Sequence, residues 1–211
     1  MNFFTADLHF GHANIIKYCK RPFTDVAAMD RALIANWNSR VGADDDVWIL
    51  GDLTMQAPQG ANNYLRQLKG RKHLILGNHD NFAHKARGTE LLDEVCSYKE
   101  LKLQTSPYTA ILCHYPLLFW NGSHSGTSIM LYGHIHNSFE PNAVTALLYN
   151  ALNVGVDCCG YIPLSEKEVL TRIAAHNQAM RYSLNKPETQ VPLAELARLH
   201  HGANAEDSKR S

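Results

Sequence analysis

The sequence predicts an α/β fold in which a two-sheet core is covered by helices, and three observations carry that reading. Through the first eighty residues, short runs of branched and aromatic apolar residues alternate with helical stretches, in the order strand, helix, strand, helix, strand. That order favours parallel pairing. From Val95 onward the rhythm changes to strands joined mostly by loops, which supplies further sheet. Five of the apolar runs end in Asp, His or Asn, and parallel sheets gather ligands beyond the carboxyl ends of their strands.

Taken in order, Asn2-Phe3-Phe4-Thr5-Ala6 reads as the first strand and runs into Asp7-Leu8-His9-Phe10-Gly11-His12. A short helix over Asn14 to Cys19 is broken by Lys20-Arg21-Pro22-Phe23. Thr24 or Asp25 caps a helix from about Val26 to Arg40, with Ala28, Ala32, Ala35 and Trp37 among its buried candidates. Asp44-Asp45-Asp46 is a charged, solvated turn before the strand Val47 to Leu50, which runs into Gly51-Asp52. A helix over Gln59 to Leu68 is stopped by Gly70, and Arg71 to Leu76 forms the third strand. Gly77 then frees the backbone to turn sharply into Asn78-His79-Asp80.

Beyond, Val95 to Leu103, Tyr108 to Cys113, Ile129 to Tyr132 and Val144 to Val154 are expected strands. The second leads into His114 and the third into Gly133-His134-Ile135-His136. Ser165 to Met180 is a closing helix, with Ser165 as N-cap and Glu168 completing a capping box. The expected domain covers residues 1–184. Residues 185–211 form a polar, partly helical tail, with a helical candidate from Leu193 to His201, and a loose attachment is expected there.

With 45% hydrophobic and 19% charged residues in a chain of 211, the composition is that of a soluble globular domain. Lysine plus arginine equals aspartate plus glutamate at 20 each, so no global field draws nucleic acid or an anionic membrane. No apolar run approaches the ~20 residues of a membrane span, and no charged-then-apolar leader opens the sequence. Five cysteines, none in a CxxC pair, read as free thiols in a reducing cytoplasm. The assembly state is open, with a dimer allowed on base rates alone.

The chemistry lies in the strand ends. Residues two apart in an extended segment point the same way, so Asp7 converges with His9, and His134 with His136. Carboxylate, amide and imidazole donors suit a divalent ion such as Mn, Fe, Zn, Ni or Co, and the pattern is not that of a structural zinc finger. Seven candidate ligands (Asp7, His9, Asp52, Asn78, His114, His134 and His136) are too many for one tetrahedral site, and they divide evenly around two ions if Asp52 bridges. Two ions roughly 3.5–4 Å apart clamp a phosphoryl group and lower the pKa of bound water towards about 7, so that hydroxide attacks phosphorus in line with the leaving oxygen. His79 is left free of metal to stabilise the transition state or protonate the leaving group, with Asp80 orienting its ring.

In this pattern (DxH, GD, GNH followed by D or E, H, then GHxH) the chain resembles the calcineurin-like metallophosphoesterase superfamily. Asp7-Leu8-His9, Gly51-Asp52, Gly77-Asn78-His79-Asp80, His114 and Gly133-His134-Ile135-His136 match it in order, and Asn153-Val154-Gly155 resembles its closing N-x-G segment. The resemblance implies a four-layer αββα sandwich with a dinuclear site. It puts Asp7, His9, Asp52 and His136 on one ion, and Asp52, Asn78, His114 and His134 on the other, with manganese first among the candidate metals. It gives His79 the catalytic histidine role. The opening Asp-Leu-His-Phe-Gly-His is similar to small bacterial and phage members, and to nucleases of the superfamily whose motif can carry a second histidine. That similarity suggests a substrate-facing role for His12.

The resulting expectation is a phosphoesterase acting on a small-molecule phosphate ester, with a phosphodiester of a nucleotide-like compound ahead of a phosphomonoester because few arginines flank the motifs. A nuclease is the less favoured rival, and a scaffold without chemistry the least. Tyr115, Phe119, Trp120, Asn121 and His124 lead away from a ligand and are candidates for the substrate rim. Arg21 and Lys17 either meet a phosphate or are plain surface charges. Strand alternation turns the Cys113 thiol away from the site, into the core.

Overall fold

In a computed structural model the described residues are 1–184. The chain divides into two units, residues 1–173 and residues 174–211. The first contains both sheets and every candidate ligand, and the described part of the second is the end of the last helix.

One sheet has the order β4-β3-β2-β1-β9, from Glu94–Cys96, Arg71–Ile75, Asp46–Ile49, Asn2–Thr5 and Leu164–Ser165. Its first four strands are parallel, and β9 runs antiparallel to β1. The other sheet is β5-β6-β7-β8, from Lys99–Lys102, Thr109–Leu112, Ser128–Tyr132 and Ala151–Asn153. Here β6, β7 and β8 are parallel and β5 is antiparallel.

Strands buried on both faces read as continuous apolar runs, which is why the sequence showed them so clearly. Phe3, Val47, Ile49 and Leu74 point outward against helices α1 (Ala13–Tyr18), α2 (Val26–Arg40) and α3 (Pro58–Leu65). Their neighbours Phe4, Trp48, Leu50 and Ile75 point inward and meet Ala110, Leu112, Ile129 and Leu131 of the second sheet. Val169 and Ile173, early in helix α5 (Glu166–Leu184), join that inner layer. The outer face of the second sheet, with Ile111, Met130, Tyr132 and Ala151, is covered by Leu117, Trp120, Ile135 and Leu148. The result is a mixed α/β fold of two parallel-rich sheets flanked by helices.

Several expectations about elements need correction. Helix α2 has the expected span, and the Asp25 carboxylate caps it by accepting from the Ala28 N–H at 2.7 Å. Its buried face, however, is Met29, Leu33 and Trp37 at four-residue spacing, while Ala35 is exposed. Large side chains repeat along one stripe and outweigh the small alanines beside them. The expected strand Val95 to Leu103 is two strands in different sheets, β4 and β5, between which the chain crosses at Ser97-Tyr98. The expected strand Val144 to Val154 is instead the end of helix α4 (Phe139–Thr145), a turn, and the short β8. Pro141 sits in the first turn of α4, where its missing N–H costs no helix hydrogen bond. The acidic turn is also less idle than expected, because Asp46 lies in β2 and pairs with Arg71 and His73.

Ser165 and Glu168 form the expected capping box: Glu168 Oε2 accepts from the Ser165 N–H at 2.9 Å, and Ser165 Oγ accepts from the Glu168 N–H at 3.4 Å. The helical candidate Leu193 to His201 lies outside the described residues. Among the described residues no helix is long and apolar enough to cross a membrane.

Candidate metal centre

The candidate ligands sit on the loops that follow the carboxyl ends of β1, β2, β3, β6 and β7. Backbone bonds zip these loops together. Asp7 N–H donates to Gly51 O, His9 N–H to Asp52 O, and Gly133 N–H to His114 O, all at 2.9–3.0 Å.

Backbone conformation marks the same positions. Asp7, His9, Asp52, His134 and His136 all have φ between +48° and +71°, the left-handed region. That costs an L-residue about 1–2 kcal/mol each, and is tolerated where surrounding structure holds it for function. Gly77 is needed for a different reason than the turn expected of it, since its φ is not positive: a methyl group there would overlap the Asp52 carboxylate and backbone. Gly51 combines both needs, with φ +86° and the His114 ring where a Cβ would lie.

Donor atoms of Asp7, His9 and His136 lie within 4.8 Å of one another, as do those of Asp7, Asp52 and His114. Asp52 Oδ1 accepts from the His79 N–H at 2.9 Å. Its other oxygen, Oδ2, lies 3.5 Å from His9 Nε2 and 3.6 Å from His114 Nε2, between the two groups as a bridging ligand must be. His114 Nδ1 faces Leu50 O at 2.8 Å, which fixes the proton there and leaves the bare lone pair on Nε2, 3.1 Å from Asn78 Oδ1, free for a metal. His134 is exposed, and its N–H donates to both oxygens of Asp7 at 3.0 Å.

These residues fit a pair of divalent ions. His9 Nε2 is buried with no hydrogen-bond partner, an orphan that metal ligation would satisfy. Burial, then the charges of His136 and Arg21, hold the His9 imidazole neutral by lowering it to about 2, the form that offers a lone pair. Burial also pushes Asp7 up to about 7, although His136 and the His134 N–H pull it down; a nearby cation would remove that penalty. The oxygen and imidazole donor set suits Mn, Fe, Zn, Ni or Co.

Two residues act differently from expectation. Asp80 does not hold the His79 ring. Its carboxylate is buried and accepts from the backbone N–H groups of Asp52, Leu53 and Gly77 at 2.8–2.9 Å, locking two ligand loops together. Burial pushes it up to about 6 against those bonds. Arg21 is neither free to meet a phosphate nor a surface charge. Its side chain is wholly buried, bonds Asp157 through Nε and Nη2 at 2.8 and 2.9 Å, and donates to the carbonyls of Asp7 and Leu8. Lys17 is exposed.

Asp157 is the residue that sequence reasoning missed. Its Oδ2 lies 2.8 Å from His136 Nδ1, which fixes the tautomer and aims Nε2 into the site. Burial opposes a charge on His136, but the bonds to Asp157 and Cys19 and the charge of Asp7 outweigh it and raise the imidazole to about 10. The signal was present: β8 ends in Asn153-Val154-Gly155-Val156-Asp157, a sixth strand end that delivers an acid.

His12 sits at the N-cap position of α1 without a side-chain cap bond, its Nδ1 3.3 Å from His9 Nδ1. The His79 ring is half-buried, edge-on to His9 with centroids 5.4 Å apart. On the rim, Trp120 Nε1 donates to Ser128 Oγ and Asn121 bonds Glu100, so these two pin the loop, whereas Tyr115 and Phe119 are exposed and Phe119 stacks on His124. Cys113 is partly buried against the outer face of the second sheet, away from the ligands.

Comparison with known proteins agrees with this geometry. Residues 3–188 match the family model for calcineurin-like phosphoesterases. An uncharacterized protein of Methanocaldococcus jannaschii is 34% identical over 163 residues, covering 76% of this chain and 84% of its own length. The gene 66 protein of Mycobacterium phage L5 is 30% identical over 186 residues, covering 74% and 86%. A crystal structure of a protein of unknown function from Aquifex aeolicus superposes with a TM-score of 0.65 at 27% identity, over 82% of this chain and 99% of the other. The chain belongs to the calcineurin-like phosphoesterase family, whose members are dinuclear metal-dependent phosphoester hydrolases.

Proposed function

We propose that the protein hydrolyses a phosphodiester of a small, nucleotide-like molecule, with Asp7, His9, Asp52, Asn78, His114, His134 and His136 holding two divalent ions, manganese first among them. The observation that carries the diester reading is the absence of lysine and arginine from the ligand loops. Residues 6–12, 51–56, 77–84, 114–127 and 133–138 contain neither. Arg21, next to the first loop, is consumed by Asp157 and two carbonyls. A dianionic monoester calls for such cations, and a monoanionic diester asks less of them.

Bound ions would supply Lewis acidity and an acidified water. The chain supplies positioning and a proton. His79, tied through its N–H to Asp52, protonates the leaving oxygen, a contribution of about 10²–10⁴-fold for a placed acid. Asp80 holds the loop that carries it. Free Cys19, Cys96, Cys113, Cys158 and Cys159 support a cytoplasmic location. The partner is a small-molecule phosphate ester ahead of nucleic acid, with no membrane, and a dimer fits base rates.

The test is hydrolysis of bis-p-nitrophenyl phosphate beside p-nitrophenyl phosphate, with Mn²⁺ supplied and then chelated. The proposal expects faster turnover of the diester, lost on chelation and in Asp52→Asn, and at least about a hundredfold lower in His79→Ala. Faster turnover of the monoester would overturn it.

A further inference from the structure

The loop after His114 presents apolar surface beside the ligands. The Tyr115 ring lies 4.6 Å from the His134 ring and 4.9 Å from the His114 ring, edge-on to both, yet the residue is 43% exposed. Leu118 and Phe119 follow at 65% and 67%. This exposure does not come from a slack loop. Leu117 and Trp120 pack on the outer face of the second sheet. Trp120 Nε1 donates to Ser128 Oγ at 3.0 Å, that hydroxyl donates to Asn121 O at 2.6 Å, and Asn121 Nδ2 donates to Glu100 at 3.0 Å. The base of the loop is fixed while its aromatic side faces solvent.

We propose that Tyr115 is a specificity-determining residue whose ring receives the nucleobase of the substrate. This rests on the reading above of a nucleotide-like substrate and names the contact that selects it. A phosphoryl group held at an ion that His114 and His134 bind would have its ester substituents within reach of a ring in contact with both. Residues 114–127 carry no lysine or arginine, so the surface there offers an extended phosphate chain no fixed cation, and a flat apolar group a stacking partner. Stacking tolerates any base because every base has a π-face, so the subsite selects for a base without choosing among bases.

The test is calorimetric titration of the Mn²⁺-loaded protein with uridine 5′-monophosphate and with ribose 5-phosphate, which share a phosphate and differ by the base. Wild type should bind the nucleotide at least about fivefold more tightly, the low end for a base on an aromatic ring. Tyr115→Phe should keep that preference and Tyr115→Ala should lose it, both with unchanged thermal melting. Equal affinities in wild type would overturn the proposal. So would an alanine variant that weakens both ligands equally, because the ring would then act on His114 and His134 and not on a base. No diester is turned over in this titration, so failure of the diesterase reading would leave its result intact.

Discussion

Replacing Asp157 with asparagine tests how much of the site is built by residues that touch no ion. Asp157 Oδ1 accepts from Arg21 Nε, and Oδ2 accepts from both Arg21 Nη2 and His136 Nδ1. Both the Arg21 and Asp157 side chains are fully buried. An amide keeps the shape but turns one oxygen into a donor and removes the charge: a nitrogen in the Oδ1 place faces Arg21 Nε, and one in the Oδ2 place faces both Arg21 Nη2 and His136 Nδ1. Breaking one side of a buried ion pair costs about 3–5 kcal/mol. The carbonyl that remains in asparagine puts the expected loss near the lower figure. At 2–4 °C per kcal/mol for a domain of this size, that is a fall of roughly 6–12 °C in melting temperature. Loss of the carboxylate behind His136 should cost about 10–100-fold in affinity for an ion that it binds. Mn²⁺ titration of chelated protein should therefore show one of two binding events weakened and the other retained. Two unchanged events in a folded Asp157→Asn protein would refute the claim that Asp157 positions His136.

Other consequences follow from the same geometry. Asp80→Ala removes the acceptor of three backbone N–H groups, and at about 1–3 kcal/mol each the protein should lose on the order of 3 kcal/mol or more, read by urea unfolding. A loss under about 1 kcal/mol would contradict the lock. The His136 imidazole is raised from its ordinary 6.5 to about 10, so its proton stabilises the metal-free fold fully below about 6.5, and that contribution is lost as pH rises through about 10. Chelated wild type should therefore lose stability between pH 6.5 and 10 relative to His136→Gln, and parallel pH profiles would contradict the assignment.

Much of the candidate site was legible because its candidate ligands follow strands buried on both faces, whose apolar runs mark where the carboxyl ends fall. Asp7, Asp52, Asn78, His114 and His134 each stand within three residues of such an end. Helix α2 was legible because Asp25 caps it locally. What escaped depends on contacts far apart in sequence. Arg21 reads as a free cation until its partner appears 136 residues later. Asp157 was passed over although a strand end was expected at Val154, because its partners Arg21 and His136 lie 136 and 21 residues away in sequence. The crossing at Ser97-Tyr98 has no glycine or proline to announce it, and only packing of the two sheets decides it. The role of Asp80 was misjudged because adjacency to His79 suggested a ring contact, whereas the turn after Gly77 aims the carboxylate back at backbone amides.

The most direct test of the account is the metal content of the protein after Mn²⁺ loading and removal of free ion. Two ions per chain are expected in wild type, falling to one or fewer in Asp52→Asn, because the Asp52 oxygen between His9 and His114 serves both. One ion per chain in wild type, or two retained in Asp52→Asn, would contradict a dinuclear centre bridged by this residue.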